Sequence, residues 1–217
     1  MERNGRPPFV LEQRAMRLAQ LGVISITIGF VANLLLLDLL ASDVHARLDH
    51  DLDPSVGLGS NPLRFAVGVG AIGCYLFVIA GFAAVVYWSY RAAKTGRMLS
   101  IPARKSIDLS VASWFIPLVN FWWPYQVIVD TMTREARERR WVLWWWIVWQ
   151  IALYVAPLHF VNALFGWRVF DTPLLIAALA ILMTSCALGL VALQRVTGWH
   201  AARIAAAPAP APVVVAN

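Results

Sequence analysis

Charged residues occur in short clusters along this chain, and the stretches between the clusters are almost wholly apolar. Five stretches of 20 residues or more contain no Asp, Glu, Lys or Arg, and four of them are not interrupted by paired prolines: 18–37, 65–90, 141–167 and 172–194. A helix of 20 residues is about 30 Å long, which matches the hydrocarbon core of a bilayer. The pattern therefore predicts four transmembrane helices, at about 18–40, 65–90, 141–167 and 172–194.

A fifth apolar segment, 109–130, differs from the other four. It contains Pro117 and Pro124 with Asn120 between them. Proline removes a backbone hydrogen bond and breaks a helix, and a backbone within lipid must satisfy its own polar groups. We therefore expect a broken segment, either re-entrant or lying at the membrane interface, between the second and third spans. The polar run 133–140 that follows predicts a charged helix leading into the third span.

The distribution of Lys and Arg distinguishes two topologies for this segment. If it returns to the side that it entered from, one side of the membrane receives 15 basic residues and the other 3. If it crosses, the split becomes 10 against 8. Basic residues in short loops stay in the cytoplasm, so the first arrangement is favoured. The prediction is a multi-pass protein of the inner (plasma) membrane with both termini in the cytoplasm.

Composition agrees with a membrane domain. Hydrophobic residues make up 60% of the 217 and charged residues 14%, whereas soluble domains have roughly 45–50% and about 25%. The expected fold is an all-α integral membrane bundle of four transmembrane helices with a broken re-entrant or interfacial hairpin. The predicted parts are a basic cytoplasmic tail at 1–17, a membrane domain at 18–195 and a low-complexity Ala/Pro tail at 196–217.

The broken segment also carries a recognisable motif. Its letters are W-F-x-P-x-x-N-x-x-x-P-Y-Q, from Trp114 to Gln126. This motif, followed by an acidic residue and an arginine-rich stretch, resembles a bacterial membrane family known as domain-of-unknown-function family 4328. The resemblance implies membrane spans around the motif and implies no activity. The candidate motif or binding residues are Trp114, Pro117, Asn120, Pro124, Tyr125 and Gln126.

Asn120 has two possible roles. Its amide both donates and accepts hydrogen bonds, so it suits a ligand or a lipid headgroup. Asparagine is also a strong turn former, and here it would close the turn or cap the half-helix that begins at Pro124. The structural role is favoured.

Two other patterns are less specific than they look. The loop between the first two spans contains His45, Asp49, His50 and Asp51, which are weak metal-ligand candidates because their spacing matches no defined site. A solvated acidic loop is favoured, and no metal or cofactor is predicted. The letters G-x-G-x-x-G at 68–73 lie inside an apolar span, outside the strand-to-helix context that a dinucleotide site requires.

Small residues instead indicate close helix packing, which is their usual role in membrane helices. They recur on one predicted face of the first, second and fourth spans. The three predicted faces comprise Gly22, Ser25, Gly29 and Asn33; Ala66, Gly70, Gly73, Ala80 and Ala84; and Ala178, Ser185, Gly189 and Ala192.

These features favour a protein that is not an enzyme, since the common catalytic motifs are missing from the sequence. We expect a non-catalytic scaffold or interaction subunit with a basic cytoplasmic face. The alternative is a transporter or channel component for a small solute or ion, in which the broken segment forms part of a cavity. The expected partners are anionic lipid headgroups and a membrane protein or second copy. Nucleic acid is not expected, because the positive-inside rule already explains the sequence pI of about 9.9.

Overall fold

The structure is a computed structural model, and it describes residues 8–49, 62–116, 119–165 and 171–206. Within these ranges every regular element is helical and there is no strand. Four long helices are present, joined in the middle of the chain by three short elements. The long helices are α1 (Pro8–Asp49), α2 (Pro62–Met98), α5 (Arg139–Phe165) and α6 (Asp171–Ala205). The short elements are α3 (Ile107–Ala112), a 3₁₀ turn (Val119–Phe121) and α4 (Trp123–Val129).

Among the residues that the structure describes, three helices are long and apolar enough to cross a membrane. Their apolar parts are Phe9–Leu36, Phe65–Met98 and Pro173–Ala205. The side chains of α5 are described only as far as Val155, and the predicted span at 141–167 extends beyond them. The fourth transmembrane span therefore remains a prediction.

The helices run beyond the predicted spans at one end of the molecule. The first turns of α1 and α5 lie there with the last turns of α2 and α6, and we call this the polar end. Contacts across it include Glu12 with His200 and Trp88 with Thr197. Part of the predicted N-terminal tail is consequently helical, because α1 already begins at Pro8.

Helices α1 and α2 pack antiparallel through glycines. A Cβ placed on Gly22 would lie 2.6 Å from the carbonyl oxygen of Gly81. Seven residues further along α1, a Cβ on Gly29 would lie 2.8 Å from the carbonyl oxygen of Cys74. The two backbones therefore touch at both levels, which only glycine permits on α1.

The packing faces predicted for α1 and α6 are largely confirmed. On α6, Ala178, Ser185 and Ala192 are buried, and a Cβ on Gly189 would lie 2.8 Å from the indole nitrogen of Trp145. On α1, Gly22, Gly29 and Asn33 are buried and Ser25 is half-buried.

The face predicted for α2 is confirmed in part. Ala84 lies against Gly22 of α1 and Gly70 lies beside Leu36, whereas Ala66 and Ala80 are exposed and Gly73 has open space around it. The backbone contact with α1 is made by Gly81, one position after Ala80. One residue turns a helix by about 100°, so Ala80 falls outside the contact that Gly81 makes.

The predicted charged helix at 133–140 is also wrong. These residues form turns, and α5 begins only at Arg139. The local hydrogen bonds join residues three apart, as in turns, from Ala136 N to Thr133 O at 3.2 Å and from Trp141 N to Glu138 O at 3.0 Å. Side-chain pairs at helical spacing are worth only about 0.2–0.5 kcal/mol each, too little to impose a helix against the chain path.

Candidate functional site

The segment that carries the motif is interrupted, as its prolines predict. It consists of α3, the 3₁₀ turn and α4 rather than one helix. Ser106 caps α3 by accepting a hydrogen bond from the Leu109 N–H at 3.2 Å. Pro124 is buried in the first turn of α4, where its missing N–H costs no helical hydrogen bond. Pro117 falls outside the described residues.

The two ends of the segment meet at the polar end of the bundle. Arg104 holds Asp130 through two nitrogens, with Nη2 at 2.7 Å from Oδ1 and Nε at 3.2 Å from Oδ2. This hydrogen bond and the attraction of the charges raise the pKa of Arg104. The segment therefore leaves and re-joins the polar end at neighbouring points.

A second contact joins the two arms of the segment. Lys105 donates to Gln126 Oε1 at 3.0 Å, and its Nζ lies 3.4 Å from the centre of the Trp123 ring. Burial lowers the pKa of Lys105, with Asp130 acting in the opposite direction and Arg104 in the same direction. A desolvated ammonium above an aromatic face is a favourable arrangement.

Trp114 fastens the segment between α2 and α5. Its indole is buried and makes edge-to-face contacts with Phe82 of α2 at 5.6 Å and Trp146 of α5 at 5.9 Å, measured between ring centres. Such pairs add about 0.5–1.5 kcal/mol beyond the area that they bury. Trp114 is thus a packing anchor between two long helices.

The backbone at the tip of the segment is satisfied by side chains of α5. Trp146 Nε1 donates to the Phe121 carbonyl at 2.9 Å, and Gln150 Nε2 reaches the Asn120 carbonyl at 3.5 Å. The Phe121 ring also stacks on Tyr154 at 5.9 Å. Polar groups of unwound backbone need such partners inside a membrane domain.

Asn120 therefore acts in this turn through its backbone. Its N–H donates to the Ile116 carbonyl at 2.8 Å, and its own carbonyl faces Gln150. The predicted role as a cap of α4 is wrong, because Trp122 occupies the N-cap position and makes no side-chain cap. A ligand contact by the Asn120 amide remains a prediction.

The motif side chains do not converge on one pocket. Gln126 faces Lys105. The Tyr125 ring packs against the Trp122 ring, with 5.2 Å between the ring centres, and Trp114 packs against the bundle core. The cavity beside Trp114 measures about 20 Å³, which is room for about one water molecule. Its walls are mainly aromatic and aliphatic side chains, with Thr27, Ser185 and Cys186 among them.

A buried polar pair that the sequence analysis missed lies at the polar end. Glu12 of α1 and His200 of α6 are both fully buried, and Glu12 Oε1 is 2.7 Å from His200 Nδ1. The other ring nitrogen, Nε2, is 3.0 Å from the Thr131 carbonyl oxygen. The pair joins three parts of the chain that are far apart in sequence.

The geometry of this pair determines its hydrogens. A carbonyl oxygen can only accept, so His200 Nε2 must carry a hydrogen and donate it to Thr131. One further proton then lies between Nδ1 and the Glu12 carboxylate, whichever of the two atoms holds it. The group as a whole is therefore neutral, which lowers the cost of complete burial.

Other polar groups surround the pair. Thr95 and Arg91 of α2 are buried, and a Cβ on Gly96 would lie 3.0 Å from the Thr131 Cα. The register set by Gly22 with Gly81 brings Arg91 to the level of Glu12. The polar end thus has a buried polar interior directly beside the basic surface.

A sequence signal for this pair exists. Glu12 precedes Ala15, Ala19 and Gly22 by three, seven and ten residues, so it continues the small-residue face of α1. His200 follows Val196 by four residues, on the buried face of α6. An acidic residue on the same helix face as a row of buried small residues indicates that the acidic residue is buried too. The sequence prediction instead assigned residues 1–17 to a basic tail.

The weak metal candidates gain no support. Only the backbone is described for His45 and Asp49, which lie in the last turns of α1, while His50 and Asp51 lie outside the described residues. Across the described part of the chain, no three His, Cys, Asp or Glu side chains are grouped as metal ligands.

Cations cover aromatic rings around the polar end. Lys94 lies 4.7 Å from the Tyr90 ring, Arg203 lies 5.3 Å from the Trp199 ring, and Trp141 is approached by two arginines. With Lys105 over Trp123, these pairs come from four different helices. Aromatic rings with charged groups beside them are typical of the boundary between lipid and water.

Comparison with known proteins gives one match. Residues 49–197, which include the whole motif segment, match the family described as Domain of unknown function (DUF4328). The chain belongs to this family. No curated protein and no solved structure matches it. The family resemblance inferred from the motif is thereby confirmed. The three candidate spans in the described part of the chain agree with a membrane protein.

Proposed function

We propose that this DUF4328 protein is a non-catalytic membrane scaffold or interaction subunit, whose polar end faces the cytoplasm and binds a partner. The observation that supports the proposal is that the side chains of Trp114, Tyr125 and Gln126 make contacts within the protein, as Lys105 with Gln126 illustrates. The exposed basic residues beside them, such as Arg134 and Arg137, point outward. These contacts suit a rigid structural segment better than a catalytic site.

The proposed topology has four spans and a re-entrant motif segment. The contacts of Asn120 and Phe121 with Gln150 and Tyr154 support it, because Tyr154 lies about 20 Å along α5 from Trp141. The ends of the segment are joined at Arg104 and Asp130, beside the cation-covered aromatic rings. A segment that enters deeply and returns to its starting side agrees with the 15-to-3 charge split.

We propose no catalytic role for Glu12 and His200. Glu12 and His200 have no exposed surface, so a substrate has no route to them without opening the polar end. Catalytic acids and bases must come within hydrogen-bond reach of the substrate. We assign the pair to joining α1 to α6.

The alternative, a transporter or channel component, has one feature in its favour, which is unwound backbone near a cavity. That cavity has room for about one water molecule and is lined mostly by apolar side chains. A solute path would require a second conformation with a much larger opening. The scaffold is the simpler proposal.

The test is purification of the tagged full-length chain in mild detergent after photo-crosslinking in cells. We expect a protein, either another membrane protein or a second copy, at near-stoichiometric amount. Charge reversal at Arg134 and Arg137 should remove it, whereas the same change at Arg47 and Arg64, at the opposite end, should not. A retained small solute with no protein adduct would support the transporter instead. Absence of both adduct and solute would refute the scaffold.

A further inference from the structure

An open groove lies at the polar end, between the loop after α2 and the turns before α5. Its volume is about 840 Å³. One set of its lining residues is charged and comprises Arg104, Asp130, Arg134 and Arg139. The rest is largely apolar, with Ile101 and the exposed Pro102 among it. The groove thus offers both charge and apolar surface to one ligand.

The groove carries a net positive charge, and one of its arginines is already paired with an aspartate. Asp130 is mostly buried, and its carboxylate is held by Arg104, so that pair is internally balanced. Arg134 is exposed, and the hydrogen bond described for Arg139 is a long one, from Nη1 to the Thr133 carbonyl at 3.4 Å. The Arg134 guanidinium is therefore open to solvent, and Arg139, which is half-buried, lies beside it in the groove wall.

The position of the groove relates it to the membrane boundary. Arg139, on its wall, lies two residues before Trp141, whose ring is approached by Arg140 and Arg195. Two residues correspond to about 3 Å along the helix. If the cation-covered rings mark the boundary, the groove opens at the depth of lipid headgroups.

We propose that this groove binds the headgroup of an anionic phospholipid, with its phosphate between Arg134 and Arg139. This inference rests on the proposed function only in taking the polar end as cytoplasmic. Guanidinium groups bind phosphate oxygens with paired, charge-assisted hydrogen bonds. Ile101 and Pro102 would contact the glycerol and the first acyl carbons. Basic pockets near the cytoplasmic ends of membrane helices are suited to such headgroups.

Charge and shape favour a lipid over other anions. A free phosphate would leave the apolar wall in water, whereas a phospholipid covers it. An acidic protein segment would gain little from Arg104, because that arginine is already paired with Asp130. A lipid also arrives by lateral diffusion at the depth where the groove opens.

The test is native mass spectrometry of the full-length protein released from vesicles of phosphatidylcholine and phosphatidylglycerol in equal amounts. The R134Q/R139Q variant should retain at least about five-fold less phosphatidylglycerol than the unaltered protein, because a glutamine amide cannot replace the charge-assisted hydrogen bonds of a guanidinium group. The matched control is R14Q/R137Q, which removes the same charge from exposed positions outside the groove. It should change retention by less than two-fold.

Three outcomes would overturn the inference: equal loss in both variants, which means diffuse attraction; no loss in either; or full displacement of the lipid by 50 mM inorganic phosphate, which means a free-anion site. Unchanged thermal unfolding of both variants shows that retention reports binding rather than folding. Crosslinking to a protein partner is scored separately. Selective lipid retention without a protein adduct would leave this inference intact and refute the scaffold, and the reverse result would do the opposite.

Discussion

Removal of one member of the buried pair should destabilise the protein strongly. In Glu12→Ala, His200 loses the partner of Nδ1 inside a region from which water is excluded. A buried polar group that is left without its hydrogen-bond partner costs about 1–3 kcal/mol. For a chain of this size, each kcal/mol shifts the unfolding midpoint by about 2–4 °C, so the unpaired group alone should lower it by roughly 2–12 °C.

A matched variant separates hydrogen bonding from charge. In Glu12→Gln the side-chain amide donates to a neutral Nδ1, and Nε2 continues to donate to Thr131. The shape is retained and no charge is buried, so the loss should stay near 1 kcal/mol. The double variant E12A/H200A should lose less than the sum of its single changes, because neither partner is left alone.

The assay is thermal unfolding of the purified protein in one mild detergent, followed by intrinsic tryptophan fluorescence, which 11 tryptophans make sensitive. The reasoning is refuted if Glu12→Ala and Glu12→Gln lose equal stability. It is also refuted if the two single losses simply add in the double variant. Either result would mean that the contact between Glu12 and His200 contributes nothing specific.

Two further predictions concern topology and packing. In a variant without the two native cysteines, single cysteines that replace Arg97 or Arg137 should not react with a membrane-impermeant thiol reagent in intact cells, whereas a cysteine that replaces Asp51 should react. If the cysteine at 137 reacts and the cysteine at 97 does not, the motif segment crosses the membrane. Gly22→Ala should destabilise the protein by about 1–3 kcal/mol because its Cβ meets the Gly81 carbonyl at 2.6 Å, whereas Gly73→Ala, with no neighbour within 4 Å, should be neutral or slightly stabilising in the same unfolding assay. Equal effects of the two alanines would contradict the described α1–α2 contact.

The motif segment shows where sequence reasoning succeeded and where it stopped. Pro124 breaks helical hydrogen bonding by its covalent structure, so an interruption was predictable without any knowledge of neighbours. The partners that satisfy the interrupted backbone were not. Trp146 and Gln150 belong to a helix that begins about 20 residues later, and nothing local identifies them as donors to Phe121 and Asn120.

The second helix shows a related limit. Small residues occur on more than one side of α2, and only the position of α1 decides which side is buried. A choice between Ala80 and Gly81 rests on a close approach of two backbones, which sequence spacing alone does not reveal. On α6, Ala178, Ser185 and Ala192 follow one another at seven-residue spacing and all three are buried, so there the prediction was correct.

The sequence by itself determined the membrane class, the positions of the apolar stretches, the break at the motif and the family, because each depends on properties that a residue carries wherever it lies. The tertiary structure decided which faces meet, which side chains hold the tip of the segment, and that Glu12 and His200 form a pair. Those contacts join residues up to 188 positions apart. Their energies depend on distance and burial, which exist only once the helices have packed.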